Sequence, residues 1–339
     1  MRKKIVHILI VDKFVPAFIE FVNEHFDMKE HLFVIIGKRN DEFGILDAQN
    51  IVFISQHIKA INLMVYMNRA EKIILHGLWS RRLNQVLFIN PWLYKKCYWV
   101  MWGGDFYFPH KQSLLQSYTI KRIGNFVTYI KGDYELVKKW YGSEGSYHEC
   151  FMYPSNLYKA YDIKIKEHGT INIQVGNSSD PSNNHLEVFE KLEKYKYEDI
   201  KIIVPLSYGD DKYANEIIVK GRKIFGDKFE PLTEFMPFNQ YLILLAKIDI
   251  AIFNHNRQQG MGNIITLLGL GKKVYMRNTI TPWGTFKSIG IKIYDIAMDV
   301  SINPLEDEKK VQNMQGIKKY FSEKSLQLQW KNIFGGLGE

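Results

Sequence analysis

The chain has 339 residues, 46% of them apolar, a formal net charge of +9 and two cysteines; that length exceeds what one hydrophobic core usually supports, so two domains of about 150 residues each are expected. Cys97 and Cys150 stand apart in apolar surroundings with no Cys or His at ligand spacing, which argues against a disulfide framework and against a zinc site. No run reaches the roughly 18 apolar residues of a membrane-spanning helix, and the positive balance calls for an anionic partner: nucleic acid, acidic lipid or a phosphorylated small molecule.

In chain order, the basic Met1-Arg2-Lys3-Lys4 leads into a β-rich run at 5–11 that ends at Asp12-Lys13 without a cleavage site, so it reads as a first strand rather than a signal peptide. Phe14, Phe18, Phe21, Val22 and His25 then share one helical face. Further strands are expected at 31–37, 51–55, 72–77, 97–102, 126–130 and 147–153, with helical segments such as 133–140 between several of them. Residues 154–169 are polar and lysine-rich, as in an inter-domain linker. The alternation restarts with a strand at 170–176, a helix at 185–195, a strand at 200–206 and helices at 213–225 and 237–247, the last opened by Pro237. A buried strand at 248–253, a polar loop at 254–263, a helix at 264–270, a strand at 273–276, a helix at 282–289 and a strand at 291–296 follow, and 306–334 reads as helices. Such alternation builds parallel sheets covered by helices, so the expected class is α/β: two tandem doubly wound Rossmann-like domains facing a cleft.

Ligands of such sheets bind beyond the carboxyl ends of the strands, which selects the loops to inspect. In the loop after 170–176, Gly176 lets backbone approach closely while Asn177, Ser178 and Ser179 offer donors to phosphate oxygens; a capped turn is the structural alternative. The loop at 254–263 hands a strand over to a helix, where free amides and the positive dipole end converge, and it adds Arg257, Gln258, Gln259, Gly260, Gly262 and Asn263 to the same anion site. Asp210-Asp211 suits a helix N-terminus better than a metal, and no metal ligand set is assigned. Tyr208, Thr233 and Glu234 are candidate nucleoside contacts, although a hydrophobic staple around Pro237 accounts for the last stretch equally well.

In the first half, Gly103-Gly104 leave Asp105 at a strand end, where partial desolvation raises its proton affinity and suits a general base; a turn-capping aspartate is the alternative. His76 is the rival base, against its more ordinary role as a satisfied core histidine. Trp79, Arg81, Arg82 and Trp102 are placed to meet an acidic or phosphorylated acceptor. The many aromatics interspersed with lysines suit a membrane interface with anionic headgroups if that acceptor is lipid-linked.

Trp102-Gly103-Gly104-Asp105-Phe106-Tyr107, Gln174-Val175-Gly176-Asn177-Ser178, the run Phe253–Asn263 and Thr281-Pro282-Trp283-Gly284 together resemble the TDP-N-acetylfucosamine:lipid II N-acetylfucosaminyltransferase family, glycosyltransferase family 56. The resemblance spans nearly the whole chain. It implies a GT-B fold with an acceptor domain at 1–153, a linker at 154–169, a nucleotide-sugar domain at 170–305 and a helical tail at 306–339 packing back toward the first domain. It further implies transfer of a deoxy-amino sugar from a dTDP-sugar to an undecaprenyl-diphosphate-linked glycan at the cytoplasmic face of the bacterial inner membrane, with the enzyme peripheral to an anionic membrane surface, no essential metal and no cofactor. A nucleotide-sugar epimerase and a basic nucleic-acid-binding protein are the rival readings; glycine-containing loops at strand ends and the lack of a nucleic-acid motif favour the transferase, with no nucleic-acid partner.

Overall fold

The computed structural model describes residues 4–37, 48–54, 60–159 and 168–335. The chain divides into two units, Met1–Leu157 with Glu323–Glu339, and Tyr158–Ser322. In the first, strands β1 (Ile5–Ile10), β2 (His31–Ile36), β3 (Ile51–Ile54), β4 (Lys72–His76), β5 (Cys97–Val100), β6 (Asn125–Val127) and β7 (Ser146–His148) alternate with helices α1 (Val15–His25), α2 (Ala60–Arg69), α3 (Arg81–Ile89), α4 (Gly103–Phe106), α5 (Leu114–Arg122) and α6 (Lys131–Tyr141). The sheet runs β3-β2-β1-β4-β5-β6-β7, parallel throughout, with Ile8 opposite Val34 and Ile74 opposite Tyr98. Helices on both faces leave no solvent side, which is why Ile5, Val6, Ile8, Leu9, Ile73, Ile74 and Leu75 form near-continuous apolar runs and are all buried. The seventh strand is shorter than the expected 147–153, and chain beyond His148 continues irregularly.

The second unit repeats the plan with β8 (Ile171–Val175), α7 (His185–Leu192), β9 (Ile200–Pro205), α8 (Asp211–Phe225), β10 (Phe229–Leu232), α9 (Phe238–Lys247), β11 (Ile250–Phe253), α10 (Met261–Gly269), β12 (Lys273–Met276), α11 (Thr281–Ser288), β13 (Tyr294–Asp295) and α12 (Asp307–Tyr320). Its parallel sheet is ordered β10-β9-β8-β11-β12-β13. Strand β10 is an element that sequence pattern does not reveal. Pro231 interrupts it, and a proline is tolerated because β10 is the sheet edge and owes no further hydrogen bonds outward. Phe229 anchors it by packing where Gly221 of α8 lacks a side chain: a Cβ there would stand 2.2 Å from the ring.

The tail departs from expectation. Only α13 (Glu323–Gly335) belongs to the first unit, where Trp330 is fully buried and donates to the Met152 carbonyl (2.9 Å), while Lys72 Nζ caps the Ile333 carbonyl at 2.5 Å. Helix α12 stays with the second unit, because buried Asn313 accepts from Lys292 N (2.7 Å) and donates to Lys292 O (2.9 Å) and Ile317 is fully buried beside it. Of the expected linker, residues 160–167 lie outside the described residues.

In each sheet the order reverses beside the first strand, between β1 and β4 and between β8 and β11, so the loops after β8 and β11 flank one switch point.

Candidate active site

In the second unit both glycine-containing loops leave the sheet at that switch point. Residue Gly176 follows β8 with φ +69°, and a Cβ there would lie 2.5 Å from His185 Nε2 and 2.7 Å from Asn183 Oδ1, so only glycine fits. Asn183 is the tie between the loops: its Oδ1 accepts from Asn177 N (3.0 Å) and from His255 Nε2 (2.8 Å), while its Nδ2 donates to Asp180 O (2.9 Å). A second link runs from Ser182 Oγ to Gln259 Oε1 (2.8 Å), and a third from Asn184 Nδ2 to Asn254 O (2.7 Å). The loop after β9 closes on the first through Ser179 N and Oγ, both donating to Tyr208 O at 2.9 Å, with Gly209 at φ +125° against the Ser179 backbone.

These loops enclose a cavity of about 430 Å³, lined by Asn177, Ser178, Asp180, Tyr208, Arg257 and the 259–263 segment. Helix α10 opens there at Gly260, which holds φ +66° and supplies no side-chain cap. The first bond inside the helix is Ile264 N–H to Gly260 C=O, so the Met261, Gly262 and Asn263 amides precede the hydrogen-bonded ladder at a positive dipole end. Outside its own helical turn, nothing lies within 4 Å of a Cβ built on Gly262, so the space beside that residue is open. Arg257 supplies the full charge; its Nη1 donates to Gln258 O (3.2 Å) and its Nη2 stands 4.0 Å from Asp180 Oδ2. Such a set of donors around an open volume is chemically suited to a phosphate or diphosphate.

Gly176, Asn177, Ser178, Ser179, Arg257, Gln259, Gly260, Gly262 and Asn263 therefore converge on one place. Gln258 contributes its carbonyl to Arg257 and is not part of the cavity wall. Tyr208 joins the wall, its hydroxyl accepting from Asn177 Nδ2 (2.8 Å), whereas Thr233 and Glu234 are exposed beyond the edge strand and away from the wall. Asp210 caps α8 by accepting from Tyr213 N (2.8 Å), as a helix start requires. Sequence reading did not single out the cross-loop roles of Asn183 and His255. Their signal is only that both are polar residues in strand-end loops; the pairing itself is between residues 72 positions apart. His255 is fully buried, and burial first, then the neighbouring His185 and Arg257, hold its pKa down at about 3, so it is neutral and donates through Nε2.

In the first unit the β4 and β5 ends form a second constellation. The Trp79 indole rests on two glycines: a Cβ on Gly77, at φ +84°, would lie 2.2 Å from it, and one on Gly104 2.8 Å. Trp102 meets Trp79 edge to face at 5.5 Å and donates through Nε1 to Tyr153 Oη (3.0 Å). Arg81 and Arg82 are exposed in the first turn of α3, where cations oppose the helix dipole unless an anion joins them.

Asp105 is buried on α4, and its Oδ2 accepts from Trp99 Nε1 (3.0 Å) and Trp102 N (3.3 Å), the capping arrangement. Burial drives its pKa up to about 7 against the lowering effect of those donors and of the Leu78 amide. His76 is not a base. Its Nδ1 bonds Tyr153 Oη (2.8 Å), its Nε2 bonds His7 Nδ1 (3.2 Å), and His7 Nε2 bonds His31 Nδ1 (3.0 Å). Burial lowers the His76 pKa to about 3, so it is a satisfied core histidine in a buried chain of imidazoles.

Two doubly wound parallel sheets, each with its own switch point, make the fold that of the GT-B class, and solved structures of that fold superpose on this chain. A glycosyltransferase from Rickettsia africae matches with TM-score 0.66 and 13% identity over 98% of each chain; HepE from Anabaena, solved with UDP and glucose, with 0.67 and 10% over 98% and 100%; and sucrose-phosphate synthase from Thermosynechococcus elongatus with 0.64 and 10% over 98% and 99%. At such identities these likenesses carry the fold. Residues 4–322 match the family described as 4-alpha-L-fucosyltransferase, glycosyl transferase group 56, and the chain belongs to that family.

Proposed function

We propose that this glycosyltransferase takes a 6-deoxy sugar of the 4-acetamido-4,6-dideoxygalactose type from a dTDP-sugar and attaches it to a lipid-linked, undecaprenyl-diphosphate glycan in bacterial surface polysaccharide synthesis. The single observation that carries the donor half is the cavity of the second unit, where Arg257 and the α10 amides meet the Asn177–Ser178 segment. As the bond from the sugar to the diphosphate breaks, negative charge grows on the leaving oxygen, and donors already aimed at it stabilise that charge without reorganising. The HepE complexes with UDP and UDP-glucose support a nucleoside diphosphate ligand for this fold, and the fucosyl description of the family supports a 6-deoxyhexose.

The acceptor reading rests on the first unit. Trp79, seated on its two glycines, offers an exposed indole face to a sugar ring, with Trp102 beside it and Arg81 and Arg82 near for a diphosphate. From Lys72 to Gly132 the chain carries Lys72, Arg81, Arg82, Lys95, Lys96, Lys111, Lys121, Arg122 and Lys131 but one acid, the buried Asp105. On adjacent α3 and α5 and the turn between Pro91 and Lys96, Phe88, Ile89, Trp92 and Leu114 are exposed among those cations, with Arg122 over the Tyr118 ring. Apolar rings and basic side chains without acids suit an anionic bilayer surface, which supports a peripheral enzyme at the inner face of the membrane. Asp105 is the proposed base: it has the raised proton affinity, and its burial requires a local rearrangement before an acceptor hydroxyl reaches it.

The test is calorimetric titration of the full chain with dTDP, UDP and their hexose esters. Micromolar binding of a nucleoside diphosphate, weakened in Arg257→Ala, is expected. No heat with any nucleoside diphosphate would overturn the reading.

A further inference from the structure

Among the described residues lining the nucleotide cavity, Asp180 is the sole acid, and a carboxylate in an anion site needs a reason. Its Oδ1 accepts from Ser182 N (2.8 Å) and starts the short turn that follows, a task that Asn or Ser performs as well without charge. Its Oδ2 stands 4.0 Å from Arg257 Nη2, beyond a close ion pair, so it offsets part of the positive charge in the cavity without occupying the arginine. Burial raises its proton affinity, but the hydrogen bonds from Ser182 and the Arg257 charge outweigh that and keep it ionised.

We propose that Asp180 sets the balance between donor and product in this cavity, tolerating the two charges of a sugar nucleoside diphosphate and disfavouring the third charge on the free nucleoside diphosphate. The inference rests on the donor reading above. In the transfer, the bond from the sugar C1 to the β-phosphate oxygen breaks with its electron pair going to that oxygen. The acceptor oxygen bonds C1, and the acceptor proton passes to a base. The diphosphate thus gains a terminal phosphate whose second ionisation lies near pH 6, so at neutral pH it leaves with one charge more than it brought. A fixed carboxylate in the same wall repels that added charge and favours release, while Arg257 and the α10 amides serve both species.

Calorimetry on the full chain compares wild type with Asp180→Asn and Asp180→Ser, both of which retain the turn cap, using UDP, UDP-glucose, dTDP and dTDP-glucose, each in EDTA and then in Mg²⁺. Both variants are expected to bind the free diphosphates about tenfold more tightly while binding of the sugar esters changes less than about threefold, with product inhibition of turnover strengthened in proportion. Ser182→Ala, which removes the link to Gln259 without a charge, leaves the ratio of the two affinities unchanged. Equal changes for diphosphate and ester overturn the proposal, as does diphosphate binding that weakens in the variants only when Mg²⁺ is present, which makes Asp180 a cation ligand. Failure of wild type to bind any nucleotide overturns the donor reading itself.

Discussion

Gly176→Ala is the sharpest probe of how the cavity is held. An alanine at φ +69° costs about 1–2 kcal/mol from backbone sterics. The added methyl would also stand 2.5 Å from His185 Nε2 and 2.7 Å from Asn183 Oδ1, both on fully buried side chains that cannot swing into solvent. Displacing Asn183 stretches the bonds it receives from Asn177 N and His255 Nε2, at about 1 kcal/mol each. The total is about 3–4 kcal/mol, with the damage centred on the tie between the two phosphate loops. Urea denaturation reads the stability and nucleotide calorimetry the site. Gly284→Ala is the matched control: it lies in α11, nothing is within 4 Å of its Cβ, and about 1 kcal/mol of stabilisation is expected from helix propensity. If Gly176→Ala unfolds within 0.5 kcal/mol of wild type and binds nucleotide equally well, the claim that this glycine and Asn183 build the cavity is wrong.

Arg257→Ala should weaken nucleoside diphosphate binding about tenfold to a hundredfold, the worth of one charge-assisted hydrogen bond of roughly 1.5–3 kcal/mol, and unchanged titrations would remove Arg257 from the site. His76, with its pKa lowered to about 3, stays neutral in the fold while the unfolded chain takes up its proton below about 6.5. Its contribution is therefore fully present above pH 6.5 and is lost as pH falls, at about 3 kcal/mol by pH 4, with His7 adding in the same direction; equal urea midpoints at pH 7 and pH 4.5 would contradict neutral burial. Asp105→Asn should keep the fold and nucleotide binding but abolish turnover, and wild-type rate should rise with pH through about 7 as the carboxyl ionises; a variant that turns over normally makes Asp105 a turn cap only. Replacing Arg81, Arg82 and Leu114 by Glu should release the chain from vesicles containing phosphatidylglycerol at low salt, and retention would place the lipid contact elsewhere.

The architecture was readable because parallel strands covered on both faces must be apolar along their length, and a run such as Ile250–Phe253 between polar loops fits that setting and little else. Strand β10 escaped notice since its stabilisation comes from edge pairing and from the gap at Gly221, neither of which leaves a period in the chain. The strand-to-helix handover at 254–263 was legible because a strand, a glycine and an apolar helix in that order place amides at a dipole end. His76 illustrates the opposite case: as a residue type it suits proton transfer, and only its neighbours His7 and Tyr153, 69 and 77 positions away, show both nitrogens engaged.

Local order along the chain was enough to determine the class of fold and the loops at its strand ends, because those follow from periodicity and from short-range backbone geometry, while the family follows from the likeness of its motifs. Which side chains are spent on structure and which are left for a ligand was decided only when residues far apart in the chain met. Burial and hydrogen-bond partners are long-range properties, and they make Asn183 a tie, His76 a core residue and Arg257, with Asp180 beside it, the charged pair of the cavity.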